Sequence, residues 1–320
     1  MKKAFVWYVA VSLVLVGIPF LPLSAVEADV GKQDVEIAAT PVGFASVNGS
    51  TTGGAGGSTV TVSNATDLIN QMQATGPRII QVSGTISLPA GMHRVASDKT
   101  IIGLGSNARI TNGGFNLRSV NNIIIQNLTF SGSNDDAINV GYGSHHIWID
   151  HNTFSNAYDG LVDINRQSSY VTVSWNRFQN HDKTSLVGNT DNAPEDRGHL
   201  KVTYHHNWFE GTGSRHPRVR FGEVHVFNNY YDAVRGYGIA STMEADVVVE
   251  SNYFRNVSNP THVGYGSSGP GDLVERNNVY SNSGTPETRG SAFNPPYSYS
   301  PDNAANVPDR VRNGAGAGKL

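Results

Sequence analysis

The stretch GSRHPRVRFG, residues 213–222, gathers Arg215, Arg218 and Arg220 within six positions and contains no acidic residue. Guanidiniums packed so closely repel one another, so their proximity points to an anionic ligand. Acids precede them in the chain. SNDDAINV (133–140) carries Asp135 and Asp136, and YDGLVDI (158–164) carries Asp159 and Asp163. Singly, each reads as an ordinary turn acid. Brought together, three carboxylates with solvent filling the remaining positions suit Ca²⁺, which takes six to eight oxygens. Zinc is disfavoured, because the chain has no cysteine and no suitable histidine spacing. Lys183, in HDKTSLVG, adds a cation from the segment just before the arginines. Carboxylates on one side of a cleft and cations on the other fit a polyanion bridged to the protein through calcium.

These residues need a scaffold that returns to the same place repeatedly, and the middle of the chain repeats. IIIQNLTF (123–130), IWIDHNTF (147–154), VTVSWNRF (171–178), VTYHHNWF (202–209), VHVFNNYY (224–231), VVVESNYF (247–254) and LVERNNVY (273–280) share a short apolar alternation, a polar pair and a closing aromatic. The closing aromatics, Phe130 to Tyr280, recur every 22 to 31 residues. Such a period signals a solenoid, and each unit is strand-like rather than helical. About two dozen residues hold three short strands with their turns. The fold class is therefore all-β, a right-handed parallel β-helix; a leucine-rich repeat is excluded by its missing leucine pattern. Asn152, Asn176, Asn207, Asn229, Asn252 and Asn278 fall at one recurring turn. There Asn tolerates a left-handed backbone, and its amide can bond the next coil. The aligned aromatics should stack inside.

SNATDLINQMQATG (63–76) predicts an N-terminal capping helix with Ser63 or Asn64 at its start and Leu68, Ile69 and Met72 on one face. Long loops should gather on one side as a cleft, the longest being 181–199. Helical periodicity is nearly absent after residue 80, and the tail from Ser283 should lie along the outside as ordered loop. Asp150 and His151 read as a hydrogen-bonded pair stabilising a turn away from the cleft. GLGSNA (103–108) is no phosphate loop, since no helix follows it.

The first 28 residues have two lysines, an apolar run and small residues, the layout of a signal peptide cleaved after Ala25 or Ala28. A membrane anchor is the weaker reading, given Pro19 and Pro22. Residues 29–45 read as a linker and 46–320 as one domain. Lys and Arg total 23 against 26 Asp and Glu, which argues against a nucleic-acid partner. The protein is expected to be secreted, extracellular and monomeric.

With these residues in view, the chain resembles the pectate lyases of polysaccharide lyase family 1. IWIDHNTFS (147–155) is similar to a family signature, and the resemblance runs from about Gly43 to the end. It implies cleavage of α-1,4-linked polygalacturonate by β-elimination. It also implies Asp136, Asp159 and Asp163 as calcium ligands, Lys183 and Arg220 as substrate-binding residues and Arg215 as the catalytic base. A guanidinium ordinarily keeps its proton, so the residues alone make Arg215 an electrostatic clamp. The base role and an alkaline working pH come from the resemblance. Asn134 stands where some members carry a further calcium-binding Asp, leaving the number of calcium ions open. Arg218 reads as a supporting residue, and His181 and His216 as substrate contacts or surface histidines. The alternatives are a calcium-independent pectin lyase on methyl-esterified substrate, a hydrolase on a similar β-helix, and a β-helical polysaccharide-binding protein without catalysis. Endo action is the expectation.

Overall fold

The computed structural model describes Met1 and residues 40–320. The expected signal peptide and most of the expected linker lie outside the described residues. Every strand pair within the two sheets is parallel, and each coil of the solenoid contributes one strand to a ten-stranded sheet running from Ser58–Val62 to Asp272–Arg276. The second sheet has fifteen strands and wraps two faces. They are joined by the long strand Arg109–Arg118, which pairs first with Thr129–Ser131 and then with Ile138–Gly141.

The aromatic register holds across the coils. Phe130, Phe154, Phe178, Phe209, Tyr231, Phe254 and Tyr280 stack in succession, with ring centroids 4.3–5.2 Å apart. Each such pair contributes on the order of 1 kcal/mol beyond the area it buries. Beside them runs a ladder of amides: Asn207 donates from Nδ2 to Asn229 Oδ1 at 2.9 Å and to the Val173 carbonyl at 2.8 Å. The same bonding links Asn152 to Asn176 and Asn252 to Asn278. The expectation of a left-handed backbone at these asparagines is corrected. The left-handed residue is the preceding one, as at His151 (φ 51°), Trp175 (φ 52°) and His206 (φ 55°). That residue turns the corner, which frees the asparagine amide to bond the next coil.

Helix α1 (Ala65–Gln73) covers the N-terminal end, with Asn64 Oδ1 accepting the Asp67 N–H and Leu68 and Met72 fully buried against the first coils. Two expectations fail at the edges. Residues 42–45, assigned to the linker by composition, pack on the ten-stranded sheet: Phe44 is fully buried, and its N–H donates to Thr203 Oγ1 at 3.0 Å. The tail forms a short helix α2 (Val307–Gly314), whose Val307 and Val311 pack against Tyr230. Its eight residues are too few to show a clear period in sequence. Among the described residues, no helix is long and apolar enough to cross a membrane.

Candidate active site

The candidate residues lie on or beside the strands Ile138–Gly141, Val162–Ile164, Leu186–Val187 and Arg218–Arg220. Their register sets Asn139 beside Asp163 and Leu186 beside Arg218. The Leu186 N–H donates to Asp163 Oδ1 at 3.0 Å. Asp136, just before the first strand, accepts from the Gly160 N–H at 2.7 Å and from Asn139 Nδ2 at 2.8 Å. Gly160 is what lets the two carboxylates approach. A Cβ there would lie 2.4 Å from Asp163 Oδ1 and 2.9 Å from Asp136 Oδ1.

Both carboxylates are buried, Asp136 at 8% exposure and Asp163 at 7%. Burial pushes Asp136 up to about 6 against the hydrogen bonds from Asn139 and Gly160, with the charges of Asp135 and Asp159 adding to the rise. Burial likewise holds Asp163 well above the usual carboxylate range, helped by the charge of Asp136 and opposed by the Leu186 N–H and by Arg215. Asp159 is not drawn into this pair. Its Oδ1 accepts from Lys183 Nζ at 2.9 Å, and both side chains are 44% exposed. Among the described residues, no three His, Asp or Glu side chains close into a metal-holding group. The donor chemistry of Asp136 and Asp163 nevertheless fits a hard cation: two buried, mutually repelling carboxylates over a position without a side chain.

The three arginines divide. Arg220 Nε donates to Asp191 Oδ1 at 2.6 Å and Nη1 to the Gly188 carbonyl at 3.0 Å. Arg218 Nη2 donates to Ser268 Oγ at 2.6 Å, and Ser268 Oγ donates to Asp191 at 2.8 Å. Burial lowers the pKa of Arg218, and the charge of Arg220 adds to this. Burial would raise the carboxyl of Asp191, but the bonds from Arg220 and Ser268 outweigh it and lower it. Arg215 has a left-handed backbone (φ 65°), and its carbonyl accepts the Ser185 N–H at 2.8 Å. Its guanidinium makes no hydrogen bond or ion pair among the described residues.

The absence of an acid within 213–222 is therefore misleading: Asp191 arrives from the long loop 181–199. That loop's length was the available signal. His181 Nε2 lies 2.6 Å from the Asp159 carbonyl. His216 is neither a surface histidine nor a substrate contact, because it is fully buried, pushed down by that burial to about 4 and bonded to the Tyr237 carbonyl. The Asp150–His151 pair, 2.7 Å apart, ends a strand of the ten-stranded sheet, with Gln126 and Ser174 also donating to Asp150.

A parallel β-helix with buried carboxylates on one strand face and a free arginine nearby has the layout of a polysaccharide lyase. The pectate lyase family profile matches residues 22–320. A pectate trisaccharide-lyase of Bacillus licheniformis is 39% identical over 298 residues, covering 87% of this chain and 86% of its own. Its counterpart in Thermotoga maritima is 41% identical over 332 residues, covering 88% and 89%. The crystal structure of a pectate lyase from Bacillus sp. N165 in complex with trigalacturonate superposes with a TM-score of 0.78 at 37% identity, covering 87% of this chain and 99% of that one. The chain belongs to the pectate lyase family.

Proposed function

We propose that this pectate lyase is secreted, depends on calcium and cuts within α-1,4-linked polygalacturonate by β-elimination, releasing 4,5-unsaturated oligogalacturonides. The observation that carries the reading is the Asp136–Asp163 pair over Gly160, on the strand face whose arginine segment leaves Arg215 without a partner among the described residues. The relative solved with trigalacturonate supports the substrate class.

Asp136 and Asp163 would hold the calcium, joined by Asp159 if it leaves Lys183. Bound there, the ion supplies charge neutralisation for a substrate carboxylate, which makes the neighbouring C5 proton more acidic. Arg215, unpaired among the described residues, would take that C5 proton in its neutral guanidine form and become the guanidinium. The C4–oxygen bond then breaks, the C4–C5 double bond forms, and the leaving oxygen acquires a proton. Lys183 and the free Nη2 of Arg220 meet other carboxylates of the chain, and Asp191 fixes the direction of Arg220.

The test is ultraviolet absorbance of polygalacturonate digests run with calcium, with a chelator, and with chelator followed by excess calcium. A rise that vanishes and returns supports the reading. A rise indifferent to chelator means pectin-lyase-like chemistry, and new reducing ends without absorbance mean hydrolysis; either overturns it.

A further inference from the structure

A second cationic feature lies outside this site. The guanidinium of Arg118 sits 3.6 Å from the centroid of the Tyr142 ring, and that of Arg166 lies 4.6 Å from the same centroid. The three side chains come from successive coils: Arg118 ends the strand Arg109–Arg118, Tyr142 follows Ile138–Gly141, and Arg166 follows Val162–Ile164. All three are at the surface, with Tyr142 38% exposed. Neither arginine has an ion pair among the described residues. The acid that weighs on Arg166 is Asp196, which is 1% exposed and turns its Oδ1 to the Gln167 N–H at 2.7 Å.

The register ties this stack to the proposed site. Arg118 pairs with Gly141, and one residue past the paired Val140, Ile164, Val187 and Val219 come Gly141, Asn165, Gly188 and Arg220, so a row runs from Arg118 to Arg220. Four strand spacings separate its ends, about 19 Å. Gly141 and Gly188 leave the row bare. Between them Asn165 is 6% exposed, and its buried Oδ1 accepts no hydrogen bond among the described residues.

We infer that Arg118, Tyr142 and Arg166 form an outer subsite that takes a carboxylate of a uronate chain running along this row from Arg220. The inference rests on the pectate-lyase reading for the identity of the chain. Two guanidiniums lie against the one Tyr142 ring, which holds these two long side chains in order. A cation–π contact of this kind restricts a guanidinium while its N–H edge stays open. Planar edges of that kind match carboxylates, and prior ordering lowers the entropic cost of binding.

The experiment compares the wild type with the double variant Arg118→Gln/Arg166→Gln on polygalacturonate and on trigalacturonate. It adds direct binding of polygalacturonate to both forms in an Arg215→Ala background. Arg109→Gln, an exposed arginine on the other face, is the control. The subsite requires KM on the polymer to rise about tenfold more than KM on the trisaccharide, with a matching loss of polymer affinity that fades at high salt. Arg118→Lys/Arg166→Lys should lose less, since charge remains without the planar edge. Equal KM changes on both substrates, or unchanged polymer affinity, overturns it. Binding is read without turnover, so failure of the lyase reading, seen as no unsaturated product from the wild type, is told apart from failure of the subsite.

Discussion

Arg220 and Asp191 meet at 2.6 Å across a sequence separation of 29, and through Ser268 the same carboxylate also steadies Arg218. One acid thus accounts for two of the three clustered cations and leaves Arg215 as the one without a partner among the described residues. Replacing Asp191 by Ala should therefore act on substrate binding. Bonds to charged groups are worth about 1.5–3 kcal/mol, so KM should rise on the order of tenfold, with kcat changed only a few-fold. Steady-state kinetics on polygalacturonate decides it, and a fall in kcat at constant KM would remove Asp191 from the binding role.

Arg215→Ala separates a base from a clamp. As a base, Arg215 should cost about 10²–10⁴ in kcat. As a clamp, it should raise KM and leave kcat largely intact. Unchanged turnover and KM would remove it from the site.

How far the sequence carried depends on what kind of relation each feature is. The register was legible because Phe154, Phe178 and Phe209 recur with their strands, and periodicity is a one-dimensional signal. The corner was misread by one position: Asn207 carries the ladder, while His206 carries the left-handed backbone. Composition cannot tell which of two adjacent polar residues turns. The acids and cations could be named, but their pairing could not. That Asp159 meets Lys183 and Asp191 meets Arg220 depends on which loops fold over which coils. Tyr142 carries no signal in the sequence, because a lone tyrosine becomes a cation holder only when neighbouring coils align.

The amide ladder should govern stability rather than chemistry. Asn207→Ala removes two donated bonds and leaves the Val173 carbonyl and the Asn176 N–H, both buried, without their partner. A loss of about 2–5 kcal/mol is expected. Asn278→Ala, at the partly exposed end of the ladder, should cost less. Denaturant unfolding of the two variants checks the order, and a larger loss at Asn278 would contradict the ladder's cooperativity.

Acid should loosen the tail. Burial pushes His206 down to about 4 against the hydrogen bond it donates to Asp302, with Arg310 and His151 adding to the fall. A histidine depressed in the folded state stabilises it fully above its unfolded pKa near 6.5. That contribution is lost as pH falls through the interval to about 4 and amounts to about 3 kcal/mol. Tm followed from neutral to acid should fall across this window, and His206→Gln should flatten the fall. An equally steep fall in the variant would assign the acid lability to other groups.

The Asp136–Asp163 pair makes the opposite demand. Its carboxyls are raised in the folded state, so they weaken folding as pH climbs from the unfolded value near 3.8 through about 6 for Asp136, and the cost persists above that. A cation between them removes this cost and stabilises the fold by mass action. Added calcium should therefore raise Tm strongly at about pH 8 and weakly at about pH 5, where the carboxyls hold their protons. Asp136→Asn should raise Tm in chelator at about pH 8 and abolish most of the calcium response. A calcium shift of equal size at both pH values, or one that survives Asp136→Asn, would place the ion elsewhere on the protein.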